Sequence, residues 1–171
     1  MTIDGIDFEI QEPWLYTKEN NKKWFSHKFR SSGLRYEIAT CNKTGDVVWL
    51  NGPFPCGSCP DIKIFRLGLK NKLGPMEKVV ADRGYRGDSR ICTPNDAKDG
   101  EHRKAMGFLR ARHETFNGRL KNWGCLYQTY RHDRNKHHMF TESAVVIAQV
   151  NISNGNSLFQ VTAYKDCAIL R

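Results

Sequence analysis

An α/β fold, a mixed sheet flanked by helices, is predicted by three features of the sequence. A β-rich segment and a hairpin open the chain, short apolar runs bounded by turn residues occupy its middle, and two long helical patterns follow. With 171 residues, of which 39% are hydrophobic and 26% charged, the chain has the length and composition of one domain with a real core. Residues 1–171 therefore read as a single unit.

Each element has its own local cause. Ile3, Ile6, Phe8 and Ile10 alternate loosely with polar residues and predict a first strand ending near Pro13. A polar, basic stretch follows, carrying Trp14, Tyr16, Trp24 and Phe25. Leu34 to Thr40 and Val47 to Leu50 are β-rich runs separated by Asn42-Lys43-Thr44-Gly45-Asp46, which predicts a hairpin. Asn51 to Pro60 holds three prolines and two glycines and reads as a loop. Asp61 stands where an N-cap belongs, before a helix carrying Ile62, Phe65, Leu69 and Leu73 and ended by Gly74-Pro75. Glu77 to Asp82 predicts an interior strand, and Ile91 to Thr93 one more short strand. Leu109, His113, Phe116, Leu120 and Trp123 recur at helical spacing and predict a helix over about 101–123. A last helix is expected over about 137–151, stopped by Asn154-Gly155.

Charge is distributed unevenly. The formal net charge is +9, yet residues 102–136 alone hold nine Lys/Arg against Glu114 and Asp133, and residues 18–35 hold six against Glu19. Two basic blocks in a slightly acidic remainder point to a polyanionic partner such as DNA, because neutralising phosphates releases counterions. A solvated basic surface is the plainer reading. No apolar run approaches the roughly 20 residues a membrane-spanning helix needs. Nor does the N-terminus pair a basic region with an apolar stretch, so an intracellular compartment is expected, the nucleus in a eukaryote. Of the six cysteines only Cys56 and Cys59 are closely spaced. A closed zinc site requires a second ligand pair, and no second CxxC or HxxxH follows, so buried or loop thiols are the expectation.

Three acids stand out within this basic chain. Asp4 interrupts the first strand, where an acid is disfavoured unless it faces a site. Asp82 closes the strand at 77–82, at the end where open α/β sheets build their sites. Glu114 lies one residue off the apolar stripe of the long helix, among Arg110, Arg112, Arg119 and Lys121. Taken singly, each acid is equally a turn residue or a helical charge partner. Taken together, two aspartates and a glutamate form a hard-oxygen set suited to Mg²⁺ or Mn²⁺. Two such ions can align an attacking oxygen and stabilise a leaving one in phosphodiester cleavage. Flanking arginines and lysines would then hold the phosphates on either side.

Four ordered blocks resemble one family. TIDGIDFEIQEP at 2–13, NGPFPCGSCPDIKIFR at 51–66, VVADRGYRG at 79–87 and RARHETFNGRLKNWGCL at 110–126 are similar to the DDE superfamily endonucleases, that is, to the Harbinger-like and related insertion-sequence transposases. The closing stretch at 144–161 also resembles that family. The resemblance implies an RNase H-like fold, a catalytic and metal-holding triad of Asp4, Asp82 and Glu114, and two Mg²⁺ or Mn²⁺ ions. It implies DNA cleavage and strand transfer, with Arg110, Arg112, Arg119 and Lys121 as DNA contacts and His113 either beside them or in the core. Asp61 matches a recurrent family aspartate and reads as an N-cap first and a site neighbour second. Family members usually carry a DNA-binding region ahead of the nuclease, whereas here only Met1 precedes Thr2. That departure leaves three other readings open: a fragment, a truncated open reading frame, or a domesticated, catalytically inactive module that binds DNA or a partner. Beyond DNA, the expected partners are a separate DNA-binding protein or further copies of the chain as a homo-oligomer. A zinc-stapled structural domain built on Cys56 and Cys59 is the rival from another class.

Overall fold

The first strand lies inside the sheet, with a neighbouring strand on each edge and helices over both faces. In the computed structural model, which describes residues 1–12 and 17–161, β1 (Thr2–Glu9) buries Ile3 toward one layer and Ile6 and Phe8 toward the other. Trp14, Tyr16 and Cys167 lie outside the described residues. The helix α1 (Lys18–Trp24) and the two-residue strand β2 (Phe25–Ser26) occupy the basic stretch for which no element was expected. The hairpin is β3 (Ser31–Thr40) with β4 (Val47–Pro55). Next come α2 (Asp61–Leu67), β5 (Val79–Val80), β6 (Ile91–Cys92), α3 (Gly100–Leu120), the single turn α4 (Gly124–Tyr127) and α5 (His137–Ser153).

The sheet runs β2-β3-β1-β5-β6, with β4 also paired to β3. β1 is antiparallel to β3, and parallel to β5 through the one pair Thr2 and Val80. Ile6, Phe8, Leu34, Tyr36 and Ile38 pack under Phe116 and Leu120 of α3 and Ala144, Val145 and Ile152 of α5. Ile3 and Ala39 face the opposite way, against Phe65 of α2 and Leu69 beyond it. Helices thus cover both faces of a mixed sheet, the RNase H-like arrangement. The period-2 alternation of β1 and β3 decides which side chains meet which layer.

Three expectations needed correction. Residues 51–55 form strand, because β4 pairs only with β3 and an edge strand tolerates Pro53 and Pro55. The interior strand expected at 77–82 is reduced to Val79–Val80. Asp61 does not cap its helix: Pro60 holds the cap position without a side-chain bond, and the Asp61 carboxylate turns elsewhere. The two long helices fall within a few residues of the expected bounds. Asp99 caps α3 by accepting from His102 N at 2.7 Å, and α5 ends before Gly155, which takes the left-handed φ of 101°.

Candidate active site

Beyond Thr2 and Val80 the two parallel strands no longer pair, and Asp4 and Asp82 stand on either side of the fork. They line two recesses at once. One is a small pocket of about 90 Å³ shared with Arg110, His113 and Glu114 of α3. The other is an open cleft of about 470 Å³ shared with Asp7, Lys28, Arg35 and Asp61. The structure therefore brings Asp4, Asp82 and Glu114 to one place, across 110 residues of sequence.

Asp4 is the most constrained of the three. Its Oδ1 accepts from Gly5 N at 2.9 Å and its Oδ2 from Asn117 Nδ2 at 2.9 Å. Burial pushes its carboxyl up to about 7, with Asp82, Asp61 and Glu114 adding to the rise. Asp82 caps the turn Arg83–Tyr85, and its Oδ1 accepts from Gly84 N at 2.7 Å. Glu114 is exposed on α3. None of these three acids forms an ion pair with any described residue. Nor, among the described residues, do three His, Cys, Asp or Glu side chains close on a single point as the ligands of an ion would. What the site holds is a group of carboxylates that raise the proton affinity of Asp4, with Arg110 on the same pocket wall but in no ion pair with them. Such a donor set fits a divalent ion of the oxygen-loving class.

Helical geometry sorts the basic candidates. At about 100° per residue, Arg110, Asn117 and Lys121 lie within about 60° of Glu114 around α3, whereas Arg112 and Arg119 lie about 140–160° away. Arg112 is buried, and its Nη2 donates to Cys41 O at 2.8 Å and Asn42 O at 2.6 Å. It anchors the hairpin turn to α3 and has no path to a phosphate, so its expected DNA contact is withdrawn. Arg119 donates to Asn156 O and Ser157 O and lines a separate groove between α3 and α5. Lys121 is half-buried, and burial followed by nearby Lys28 lowers its pKa. His113 belongs to the core: its Nδ1 meets Thr40 Oγ1 at 3.3 Å, and burial pushes its pKa down to about 4.

The sequence reading passed over several residues that the fold places here. Asn117 sits three residues after Glu114, a spacing that signals a shared helix face. Lys28 enters from the turn after β2. Asp7 and Arg35 stand directly opposite each other in the β1–β3 register, so their pairing becomes visible only once the hairpin is paired. Cys56 is buried near Asp7, with its thiol pushed up to about 12 by burial and by that acid, while Cys59 lies beside Ser58.

Comparison with known proteins gives the family. The family model described as DDE superfamily endonuclease matches residues 3–149. A probable transposase for insertion sequence element IS702 from Microchaete diplosiphon is 28% identical, over 88% of this chain and 55% of that protein. The chain thus spans about half the length of that curated relative. No solved structure matches it. Among the described residues no helix is long and apolar enough to cross a membrane. With Asp4, Asp82 and Glu114 gathered at the fork of β1 and β5 and the family model covering most of its length, this chain belongs to the DDE superfamily endonucleases.

Proposed function

We propose that this chain is the metal-dependent nuclease unit of a DDE transposase, with Asp4, Asp82 and Glu114 as its catalytic acids. One observation carries the reading: three acids distant in sequence share a pocket, and none of them forms an ion pair with a described residue. Mg²⁺ or Mn²⁺ bound there supplies Lewis acidity for displacement at phosphorus. Asp4 and Asp82 would hold the ions from the two strands, and Glu114 would complete the set from α3. Asn117 keeps Asp4 turned toward α3, while the buried wall of Thr2, Ile3 and His113 limits water on that side. Arg110 and Lys121 flank Glu114 on its own helix face, and with Lys28 they supply positive charge for the DNA backbone on each side of the acids.

The test is nicking of supercoiled plasmid. Wild-type protein should nick with Mn²⁺ or Mg²⁺ and be silent with Ca²⁺ or chelator. Asp82→Asn should lose at least about a thousandfold in rate, as removal of a group essential to the transition state does. Nicking by Asp82→Asn at the wild-type rate would refute the assignment.

A further inference from the structure

Asp61 was expected to cap α2, yet its side chain points into the cleft beside the triad acids. We propose that Asp61 is a fourth carboxylate of this centre and that Arg35, locked by Asp7, is the residue that positions it. The inference rests on the reading of Asp4 and Asp82 as metal ligands and extends it to the α2 side of the sheet.

Arg35 is held as a fork. Its Nε donates to Asp7 Oδ1 at 2.7 Å and its Nη2 to Asp7 Oδ2 at 2.9 Å, the bidentate geometry that fixes a guanidinium plane. Its Nη1 donates to Cys59 O at 3.4 Å and also lies 3.2 Å from Asp61 Oδ1, an ion pair without hydrogen-bond alignment. One cation therefore serves two carboxylates, and Asp7 takes the stronger share. The surplus negative charge falls on Asp61, next to Asp82 and Asp4. Partly buried surplus charge is costly to a fold, so its presence asks for a cation from outside.

The backbone around Asp61 is cleared for close approach. A Cβ on Gly5 would collide with Asp61 Oδ1. A Cβ on Gly84 would lie 3.2 Å from Asp61 Oδ2 and 3.0 Å from Asp82 Oδ1, so the two carboxylates flank one point that a glycine leaves open. Independent of the acids, the Tyr85 hydroxyl is buried among Asp61, Glu37, Asp4 and Asp82 and has no hydrogen-bond partner among the described residues. Glu37 Oε1, buried on the same side, has none either. The α2 side of the sheet thus carries buried polar atoms that the described residues leave unpaired.

The experiment is Mn²⁺ binding, read as loss of the free-ion EPR signal on titration, with no DNA and no turnover. Asp82→Asn should abolish tight binding. Asp61→Asn should weaken it about tenfold or more, the scale seen when groups supporting a metal site are removed. Asp61→Glu keeps the charge but displaces the carboxylate by one methylene, and it should also weaken binding. Arg35→Lys should weaken binding in the wild-type background and add nothing to Asp61→Asn, because it acts through that residue. Circular dichroism and thermal midpoints confirm that each variant is folded. Wild-type Mn²⁺ affinity in Asp61→Asn, with binding lost in Asp82→Asn, would overturn this proposal and leave the centre standing. Full affinity in Asp61→Glu would reduce Asp61 to a diffuse charge and equally overturn it. Wild-type binding in Asp82→Asn would bring down the centre and this inference together.

Discussion

The two recesses on either side of Asp4 and Asp82 are built on opposite plans. On the α3 side Glu114 is exposed and forms no ion pair with a described residue, although Arg110 lines the same pocket beside Thr2, Ile3 and His113. On the α2 side Arg35, Asp7 and Asp61 form a connected polar set in which the protein supplies its own cation. The first recess is open to whatever cation arrives; the second is organised before anything binds. The difference teaches which residues carry chemistry alone and which also carry the fold. A residue that anchors nothing can be removed without structural cost, whereas a half-satisfied buried network cannot.

The largest expected effect is on catalysis. Glu114→Gln should cost at least about a thousandfold in plasmid nicking while leaving the thermal midpoint unchanged, since Glu114 is exposed and pairs with none of the described residues. On the other side the order reverses. Asp7→Ala leaves the partly buried Arg35 without its main partner and should destabilise the protein by at most about 3–5 kcal/mol in chemical denaturation. Equal effects of the two changes on stability would break the distinction.

How much of this was legible in sequence follows from the range of each interaction. The strand β1, the hairpin and the two long helices rest on periodicity within the segment itself, and they stand where the pattern put them. The strand β4 was cut short on paper because Pro53 and Pro55 read as loop, while an edge position in the sheet tolerates both. Three acids drew attention because each breaks a local rule. Asp7 and Arg35 break none, and their pairing depends on strands that meet 28 residues apart. Asp61 was read as a cap because the residue before an apolar helical run usually is one. The winning force was instead the pull of Arg35 from the sheet. Arg112 and Arg119 were grouped with Arg110 and Lys121 by charge, although a helical wheel alone places them on the other face.

That sorting of the basic residues sharpens the comparison at an intermediate scale. Lys121→Gln should weaken DNA binding across unrelated sequences and reduce the slope of log affinity against log salt by about 1, with no loss of stability. Arg112→Gln should do the converse, lowering stability by about 1–3 kcal/mol through two orphaned carbonyls and leaving the salt slope unchanged. Fluorescence anisotropy across a salt series, beside denaturation curves, separates the two. A reduced salt slope in Arg112→Gln would mean that the guanidinium leaves its buried seat.

One further expected effect lies away from both recesses. His137 is buried between Tyr36 and Thr141, its Nδ1 lying 2.8 Å from the Tyr36 hydroxyl, and burial pushes its pKa down to about 4. The unfolded imidazole takes up a proton near pH 6.5 and the folded one does not until about 4, so its stabilising contribution is present above 6.5 and lost as pH falls through that window. Stability should decline from pH 6.5 toward 4 by at most about 1.4 kcal/mol per pH unit for this group. Replacement by Phe should flatten that part of the profile, measured by denaturation at each pH. A slope unchanged by the replacement would move the titration to another group, with buried His113 the next to test.

A divalent ion held in the fork between β1 and β5 would be visible by anomalous diffraction from crystals soaked in Mn²⁺. The expected result is an anomalous peak between Asp4 and Asp82, at roughly 2.0–2.3 Å from an oxygen of each, as oxygen-ligated ions of this size require. The peak should disappear in Asp82→Asn crystals grown the same way. Peaks found only away from these aspartates, at the Cys56 and Cys59 thiols or on the protein surface, would contradict it.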